Sequence, residues 1–554
     1  MVSRSGGRRS VWVAHLLAAC CSLALDLPLR WAHQLGYYDN DFNHLTLFAV
    51  GPYSLKHSPA NLRRYLLNDE PLFNLYHALR YYLFGVDPWP HHLLQGILVA
   101  ANATLAFSLV WRLSKNFLFS FLLLFLFLTY PNRGEALYWT AAVYVVMLFW
   151  LLAALHLFLT WLETGRRWAF ALSWLCYSLA VWTHEAAFGF FGVLMALWAL
   201  ERSGSRRWPE GMRIAVLLAL TNAAYLIAHQ TRWFGKAENI FLFSRPWLPR
   251  QIIPNLIYSI RASFGDHFVT ATRGLMREAI GREKILAPLH GVFTGLFVLA
   301  WLLAGAGALL ALAELIKARY RPQTEHRKVQ RLGAFGAAWF LFAYAPTYVL
   351  FIANRHNYLP SVGSSLLVAA ALWLPLSIAS DGRLRGLLRV AAFGLASCIA
   401  LCFYVADLGE GIRWVEANRF ISSLRSQISK AWPALPRDAR VVILDLSGAG
   451  KGVPLLPAYA LDAALKLWYH DPQVLTYESF YPERKYFSFH KGPSERRQPY
   501  DYLLLFRFQN QHLIRKKYLL LADGEKIRLG AKFDHLSSCG DETPFPVVTG
   551  RLVH

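Results

Sequence analysis

Along the chain, apolar runs of roughly 18–22 residues alternate with short charged loops. Lipid leaves backbone groups no water to bond, so runs of this length are read as helices crossing a bilayer. About eleven spans are predicted, near 11–31, 92–111, 116–131, 138–161, 168–183, 186–201, 212–230, 287–316, 332–352, 359–378 and 388–405. The first run follows Arg4, Arg8 and Arg9 as a signal peptide would. The bulky Leu29-Arg30-Trp31 offers no small-residue cleavage site, so the run is expected to stay as an anchor.

The polar intervals differ from one side to the other. Lys and Arg gather in alternate loops: Arg112 and Lys115, Arg166 and Arg167, Arg202 to Arg207, Lys317 to Arg331, and Arg383 to Arg389. By the positive-inside rule these loops and the N-terminus face the cytoplasm. The opposite face then carries two long loops, 32–91 and 231–286, short loops near 131–137, 183–186 and 353–358, and the tail. Segments 61–84 and 252–276 are amphipathic and predict helices lying in the membrane interface. Beyond residue 432 the pattern changes. Val441–Leu444 and Tyr502–Phe506 read as buried strands, and 456–469 has helical periodicity. The expected fold is an all-α polytopic membrane protein with a small C-terminal extracytoplasmic α/β domain. Its parts are a transmembrane catalytic domain (1–405), a linker helix (406–431) and the α/β domain (432–554). The setting is a bacterial inner membrane.

Composition agrees with that picture. The chain is 55% hydrophobic and only 16% charged. Its net charge of +23 would point to nucleic acid in a soluble protein. Here much of the excess lies in short loops, without the basic and aromatic interleaving of nucleic-acid binders, so no nucleic-acid partner is expected. Five of six cysteines fall inside apolar runs, and no disulfide framework is implied. Ser447-Gly448-Ala449-Gly450-Lys451-Gly452 imitates a phosphate loop, but Asp445 and Gly452 break the pattern, and a tight turn is expected.

Ionisable residues cluster at the outer span ends. Asp39, Asp41 and His44 lie in GYYDNDFNH; Arg133 and Glu135 in YPNRGEALYW; His184 and Glu185 in VWTHEAAFGF; Arg232 and Lys236 follow span seven; Arg355 and His356 lie in FIANRHNYLPS. Charged groups at such depth are costly, and pairing or function usually retains them. Each also has a plain reading: an Arg can snorkel, a His can be a structural hydrogen-bonder, and Glu185 can pair with Arg355 to hold helices. Asp39 and Asp41, two apart, point opposite ways if extended. The pair admits an oxygen-ligated divalent ion, but no other carboxylate lies nearby in sequence, so no metal or other resident cofactor is expected.

Four stretches carry a family resemblance: YYDNDFNH; EPLFNLYHALRYYLFGVDPWPHH; Pro131-x-x-x-Glu135-Ala136; and Arg355-x-x-Tyr358-Leu359-Pro360-Ser361-x-Gly363. Together they resemble the GT-C superfamily of membrane glycosyltransferases over residues 10–405. The nearest look is to the membrane part of the O-mannosyltransferases that carry tetratricopeptide repeats, and to their bacterial relatives. His184-Glu185 stands where that family often has Lys-Glu. Gln95, Val99 and Tyr130 depart from its pattern, and the α/β tail replaces its repeats.

The resemblance implies transfer of a sugar, mannose in the nearest families, from a polyprenyl-phosphate carrier to a glycan, lipid or protein acceptor. A phosphate is already a good leaving group, whereas the acceptor hydroxyl needs a base. The implied base is Asp39, with Asp41 as runner-up, and single displacement inverts the anomeric centre. Arg355, Arg232, His356 and Lys236 are the candidates to hold the phosphate. Glu135, His184 and Glu185 would orient these cations or bind sugar hydroxyls. Membrane lipid surrounds the chain. Rival readings are an O-antigen ligase or polymerase, and a lipid or solute transporter; a transporter would place polar groups at the midplane among broken helices.

Overall fold

A computed structural model describes residues 4–282 apart from 52–58, 67–69, 203–207 and 231–247. It then describes 324–348, 353–378, 382–434 and much of the tail. The expected span at 287–316 and the phosphate-loop look-alike at 447–452 lie largely or wholly outside the described residues, as do Arg232 and Lys236.

The helices are α1 (Arg4–Leu25), α2 (Leu27–Trp31), α3 (Asn40–Ala49), α4 (Pro59–Leu66), α5 (Pro71–Phe84), α6 (Pro88–Ser114), α7 (Phe117–Leu128), α8 (Gly134–Tyr138), α9 (Tyr144–Thr164), α10 (Arg167–Thr183), α11 (Phe190–Arg202), α12 (Trp208–Gln230), α13 (Leu248–Ser263), α14 (Asp266–Arg282), α15 (Thr324–Tyr348), α16 (Tyr358–Ile378) and α17 (Gly382–Ala431). Among the described residues, five segments are long and apolar enough to cross a membrane: Pro88–Ser114, Tyr144–Thr164, Pro209–Ala228, Asn354–Ser377 and Gly386–Lys430. Trp12–Leu25 and Phe117–Leu128 are shorter apolar helices.

Local chemistry sets several boundaries. The first apolar run is broken after Leu25 because Asp26 caps α2, its Oδ1 accepting from Leu29 N, with Pro28 in the first turn. The α6–α7 hairpin turns through Lys115, in the left-handed region at φ 56°, and Asn116 then caps α7 through Phe119 N. The run read as a span from 138 starts its helix only at Tyr144; residues 139–143 form an irregular turn. Helices α15 and α16 pack closely. A Cβ on Gly363 would sit 2.7 Å from the Phe340 backbone nitrogen, so no other residue fits there. The amphipathic segments are the pairs α4–α5 and α13–α14.

Helix α17 runs 50 residues without interruption. At 1.5 Å per residue that is about 75 Å, more than twice a hydrocarbon core of about 30 Å. Its second half stands beyond the apolar stretch and carries the tail domain. There β1 (Arg440–Leu444), α18 (Ala458–Tyr469), β2 (Leu475–Thr476), β6 (Leu503–Gln509) and β7 (His512–Lys516) form a four-stranded sheet and its helix, the strands ordered β2-β1-β6-β7. The β1 pairings to β2 and β6 are parallel, and β6–β7 is antiparallel. Between β2 and β6 a small antiparallel sheet joins β3 (Ser479–Tyr481), β4 (Tyr486–Phe489) and β5 (Arg496–Pro499). Gln427 Oε1 of α17 accepts from Leu513 N, and Trp432 meets the Phe506 ring edge-on at 4.9 Å. The strands and helix expected at 441–444, 456–469 and 502–506 coincide with β1, α18 and β6.

Candidate functional site

The stretch GYYDNDFNH forms a tight loop leading into α3, and other elements hold it on several sides. Gly36 lies against α17, where a Cβ would collide with Asn418 Oδ1 at 1.9 Å. Asn418 Nδ2 in turn donates to Gln34 O. Tyr38 is wholly buried; its hydroxyl donates to Trp414 O (2.7 Å) and its ring meets the Trp414 indole edge-on. From α6, His92 Nε2 bonds Gly36 O at 2.8 Å. The Trp139 indole N–H donates to Tyr38 O at 3.1 Å.

The two aspartates differ inside this frame. Asp39 is the residue before α3, at φ 43° and ψ −117°, a left-handed conformation that side chains other than glycine rarely adopt. Such strain persists only where surrounding packing fixes it. Asp41, two residues on, is 3% exposed. Its Oδ2 accepts from Tyr38 N (3.0 Å) and its Oδ1 from the Thr140 hydroxyl (2.6 Å). Burial pushes the Asp41 carboxyl up to about 7, against the lowering effect of these bonds and of the nearby Arg80 guanidinium.

Behind Asp41 lies a cavity of about 10 Å³, lined among others by Tyr37, His44, His77, Arg80 and Thr140. That is room for about one water. Arg80 is 2% exposed; its Nη1 donates to Thr140 O at 2.7 Å, while Nε and Nη2 have no hydrogen-bond partner among the described residues. His44 stacks on His77 at 4.5 Å and bonds Tyr65 through Nδ1. Burial, with Arg80's charge adding to it, pushes His44 down to about 4, and His77 well below its usual value. Neither ring is therefore a proton acceptor near neutrality. Nothing in the sequence marked Arg80: within YHALRYYLF it reads as a snorkelling residue of an amphipathic helix.

Two of the motifs meet directly. Arg355, in a short 3₁₀ turn before α16, donates from Nη1 to Glu135 Oε2 at 2.9 Å, with its guanidinium over the Trp139 ring. Trp139 therefore links the Asp39 loop to Arg355: its N–H holds the carbonyl beside Asp39, and its face carries the cation. Asn354 Oδ1 accepts from Glu135 N, and Asn357 Nδ2 donates to Asn132 O. Gln95, where the resembling family has Asn, donates to Ala136 O and ties α6 to the same loop. His356 turns inward: its Nδ1 accepts from Ala353 N (2.7 Å), and its ring meets Tyr144 edge-on. That bond makes it a turn-former.

His184 and Glu185 lie on the other side of Tyr144, whose ring is 5.4 Å from His184. Glu70, the residue before α5, joins them: its Oε1 is 3.8 Å from His184 Nε2, and Glu185 Oε2 is 3.6 Å from His184 Nδ1. Sequence reasoning passed over Glu70, although Pro71 at the first helical position marked it as a helix entry. Candidate ligand atoms of the three residues lie within 4.8 Å of one another. His184 Nδ1, however, accepts from Ala186 N at 3.1 Å. That bond leaves the ring's proton on Nε2, the nitrogen facing Glu70. A cation there would have to displace the proton and break the turn, so the trio fits a polar cluster around a neutral imidazole better than a metal centre.

Arg133, four residues before Leu137 on the same loop, goes elsewhere. It is completely buried, 4.9 Å from the Phe127 ring and 5.4 Å from the Tyr358 ring, and donates to Leu128 O. Buried Asp26 and Asp407 lie within its electrostatic reach, and buried Glu410 Oε1 accepts from Gly134 N.

No family model matches the chain, and no curated protein matches it. Solved structures do, two of them of ArnT. One is ArnT from Cupriavidus metallidurans bound to undecaprenyl phosphate, at 15% identity and a TM-score of 0.36, covering 81% of this chain and 86% of that one. The other is the same protein in the apo state, at 13% identity and a TM-score of 0.37, covering 86% and 87%. At such scores neither fold nor function transfers, and the residues carry the functional reading.

Proposed function

We propose that the chain is a membrane glycosyltransferase that moves a sugar from a polyprenyl-phosphate carrier to an acceptor hydroxyl, with inversion. One observation carries this reading. Four stretches far apart in sequence, each resembling a GT-C motif, come together at one end of the helices, with an aspartate loop and a partly exposed arginine joined through Trp139.

In this reading Asp39 is the base. Both Asp41 oxygens already accept bonds from the chain itself, so Asp41 anchors the loop and aims Asp39. The acceptor hydroxyl gives its proton to Asp39 as its oxygen attacks the anomeric carbon, and the carbon–phosphate-oxygen bond breaks. Arg355 stabilises the charge gathering on the departing phosphate, with Arg232 and Lys236 as further candidates. Its bond to Glu135 fixes the guanidinium before substrate arrives, which saves ordering cost. His184, Glu185 and Glu70 bind sugar hydroxyls. Mannose is the first sugar to try, by resemblance.

The test is transfer by purified protein in vesicles from a set of polyprenyl-phosphate sugars. Asp39→Asn should lower turnover by roughly 10²–10⁴, the usual worth of a general base. Full activity with diphosphate-linked oligosaccharides and none with monophosphates would favour the ligase reading instead.

A further inference from the structure

The tail domain touches the candidate site through α18. Helix α3 has two working faces, set by its 3.6-residue repeat. Asp41, Leu45 and Phe48 turn inward to the cavity and core. Phe42 and Thr46, one turn apart, turn to α18. The Thr46 hydroxyl donates to the Ala463 carbonyl at 2.7 Å, a buried bond spanning 417 residues of sequence. Phe42 meets the Trp468 indole edge-on, centroids 6.0 Å apart at 89°. On α18, buried Ala460, Ala463 and Ala464 are small enough for close approach. Trp468 is itself held between Phe42 and Arg425 of α17, whose guanidinium lies 6.0 Å from the indole. The Tyr469 hydroxyl donates to Trp432 O. Helix α17 is also the helix that grips Gly36 and Tyr38.

The aspartate loop is thus gripped at its start by α17 and at its exit by α18. Its central residue, Asp39, has a strained backbone conformation of the kind that persists only where the surrounding structure holds it. We propose that α18 is a positioning element of the transfer site, with Trp468 and the Ala463 carbonyl holding α3 so that Asp39 and Asp41 keep their geometry. The tail domain then completes the site. This inference rests on the glycosyltransferase reading for its kinetic part, but not for its structural part.

The experiment uses the full-length protein in nanodiscs. Trp468→Ala and Thr46→Val are compared with wild type and with the conservative Trp468→Phe. Hydrogen exchange of residues 40–49 is read alongside kcat, donor KM and the pH profile. In Trp468→Ala, exchange at 40–49 should rise at least about tenfold. Its kcat should fall about 10–100-fold, the usual cost of an ångström-scale misplacement, with donor KM unchanged. Trp468→Phe should restore most of both, and Thr46→Val should act in the same direction, more weakly. Unchanged exchange at 40–49 in Trp468→Ala would overturn the proposal, even if the melting temperature fell. So would raised exchange with unaltered kcat and pH profile, because α18 would then be packing only. If wild-type protein transfers sugar from none of the polyprenyl-phosphate donors, the glycosyltransferase reading fails, while the exchange result still decides whether α18 holds α3.

Discussion

Two arginines on adjacent motifs have opposite surroundings. Arg133 is sealed between two aromatic rings, with Asp26 and Asp407 in reach and no exposed surface. Arg355 pairs with the Glu135 carboxylate and keeps 24% of its side chain open. Both lie near the same end of the helices, and both look alike in sequence. A cation enclosed by the chain's own acids and rings belongs to the fold, while one that is oriented but open is placed for a ligand.

The largest effect that distinguishes them is on folding. Arg133→Met should remove the compensation of several buried acids and cost about 3–5 kcal/mol. It should show as loss of monodisperse protein and a lower melting temperature. Arg355→Ala should lower melting less than Arg133→Met does, since its ion pair with Glu135 is partly open to solvent whereas Arg133 is completely buried. Its transfer should fall roughly 10²–10³-fold, as when a donor to a developing anion is lost. If both variants lost the fold equally, the distinction between the two arginines would collapse.

Much of the outer site was legible in the sequence and much of the inner one was not. Charge alternation and motif order brought Glu135, Arg355 and the aspartate loop to one face, because those signals are local. Glu410 and Asp407 escaped notice because they lie where the last apolar run gives way to the linker. Only the continuation of α17 as one helix turns them back on Arg133. Thr140 was read as span interior, yet it sits in the turn before α9 and holds Asp41. Periodicity tells which face of a helix is apolar; it does not tell which faces from distant helices converge.

A smaller effect concerns pH. Asp41 is raised to about 7 from an ordinary carboxylate value. The folded state therefore holds a proton that the unfolded state releases between about pH 4 and 7. The associated stability is present at low pH and is lost as pH rises through about 7. His44 and His77, held low by burial and Arg80, contribute with the opposite sign, losing stability as pH falls. The difference between wild type and Asp41→Asn isolates Asp41: the variant should gain melting temperature relative to wild type at pH 8 and not at pH 4. Protonated Asp41 no longer accepts from both Tyr38 and Thr140 as a carboxylate, so wild-type turnover should decline as pH falls below about 7. A melting difference independent of pH would contradict the assignment.

The smallest effect is expected at the Glu70, His184 and Glu185 trio. Chelation with EDTA should leave transfer unchanged, and Glu70→Gln should lower it by no more than about tenfold, the scale of one weak polar contact. Loss of activity on chelation with recovery on adding zinc would make this outer cluster a metal centre after all.

The central claim is that Asp39, and not Asp41, takes the acceptor proton. The most direct measurement is single-turnover transfer from a polyprenyl-phosphate sugar by Asp39→Asn and Asp41→Asn, with donor binding measured in the same preparations. Asp39→Asn should bind donor as wild type does and transfer roughly 10²–10⁴-fold more slowly. Asp41→Asn, keeping an oxygen for Thr140 or Tyr38, should lose far less. Wild-type transfer by Asp39→Asn with abolition in Asp41→Asn would contradict the account.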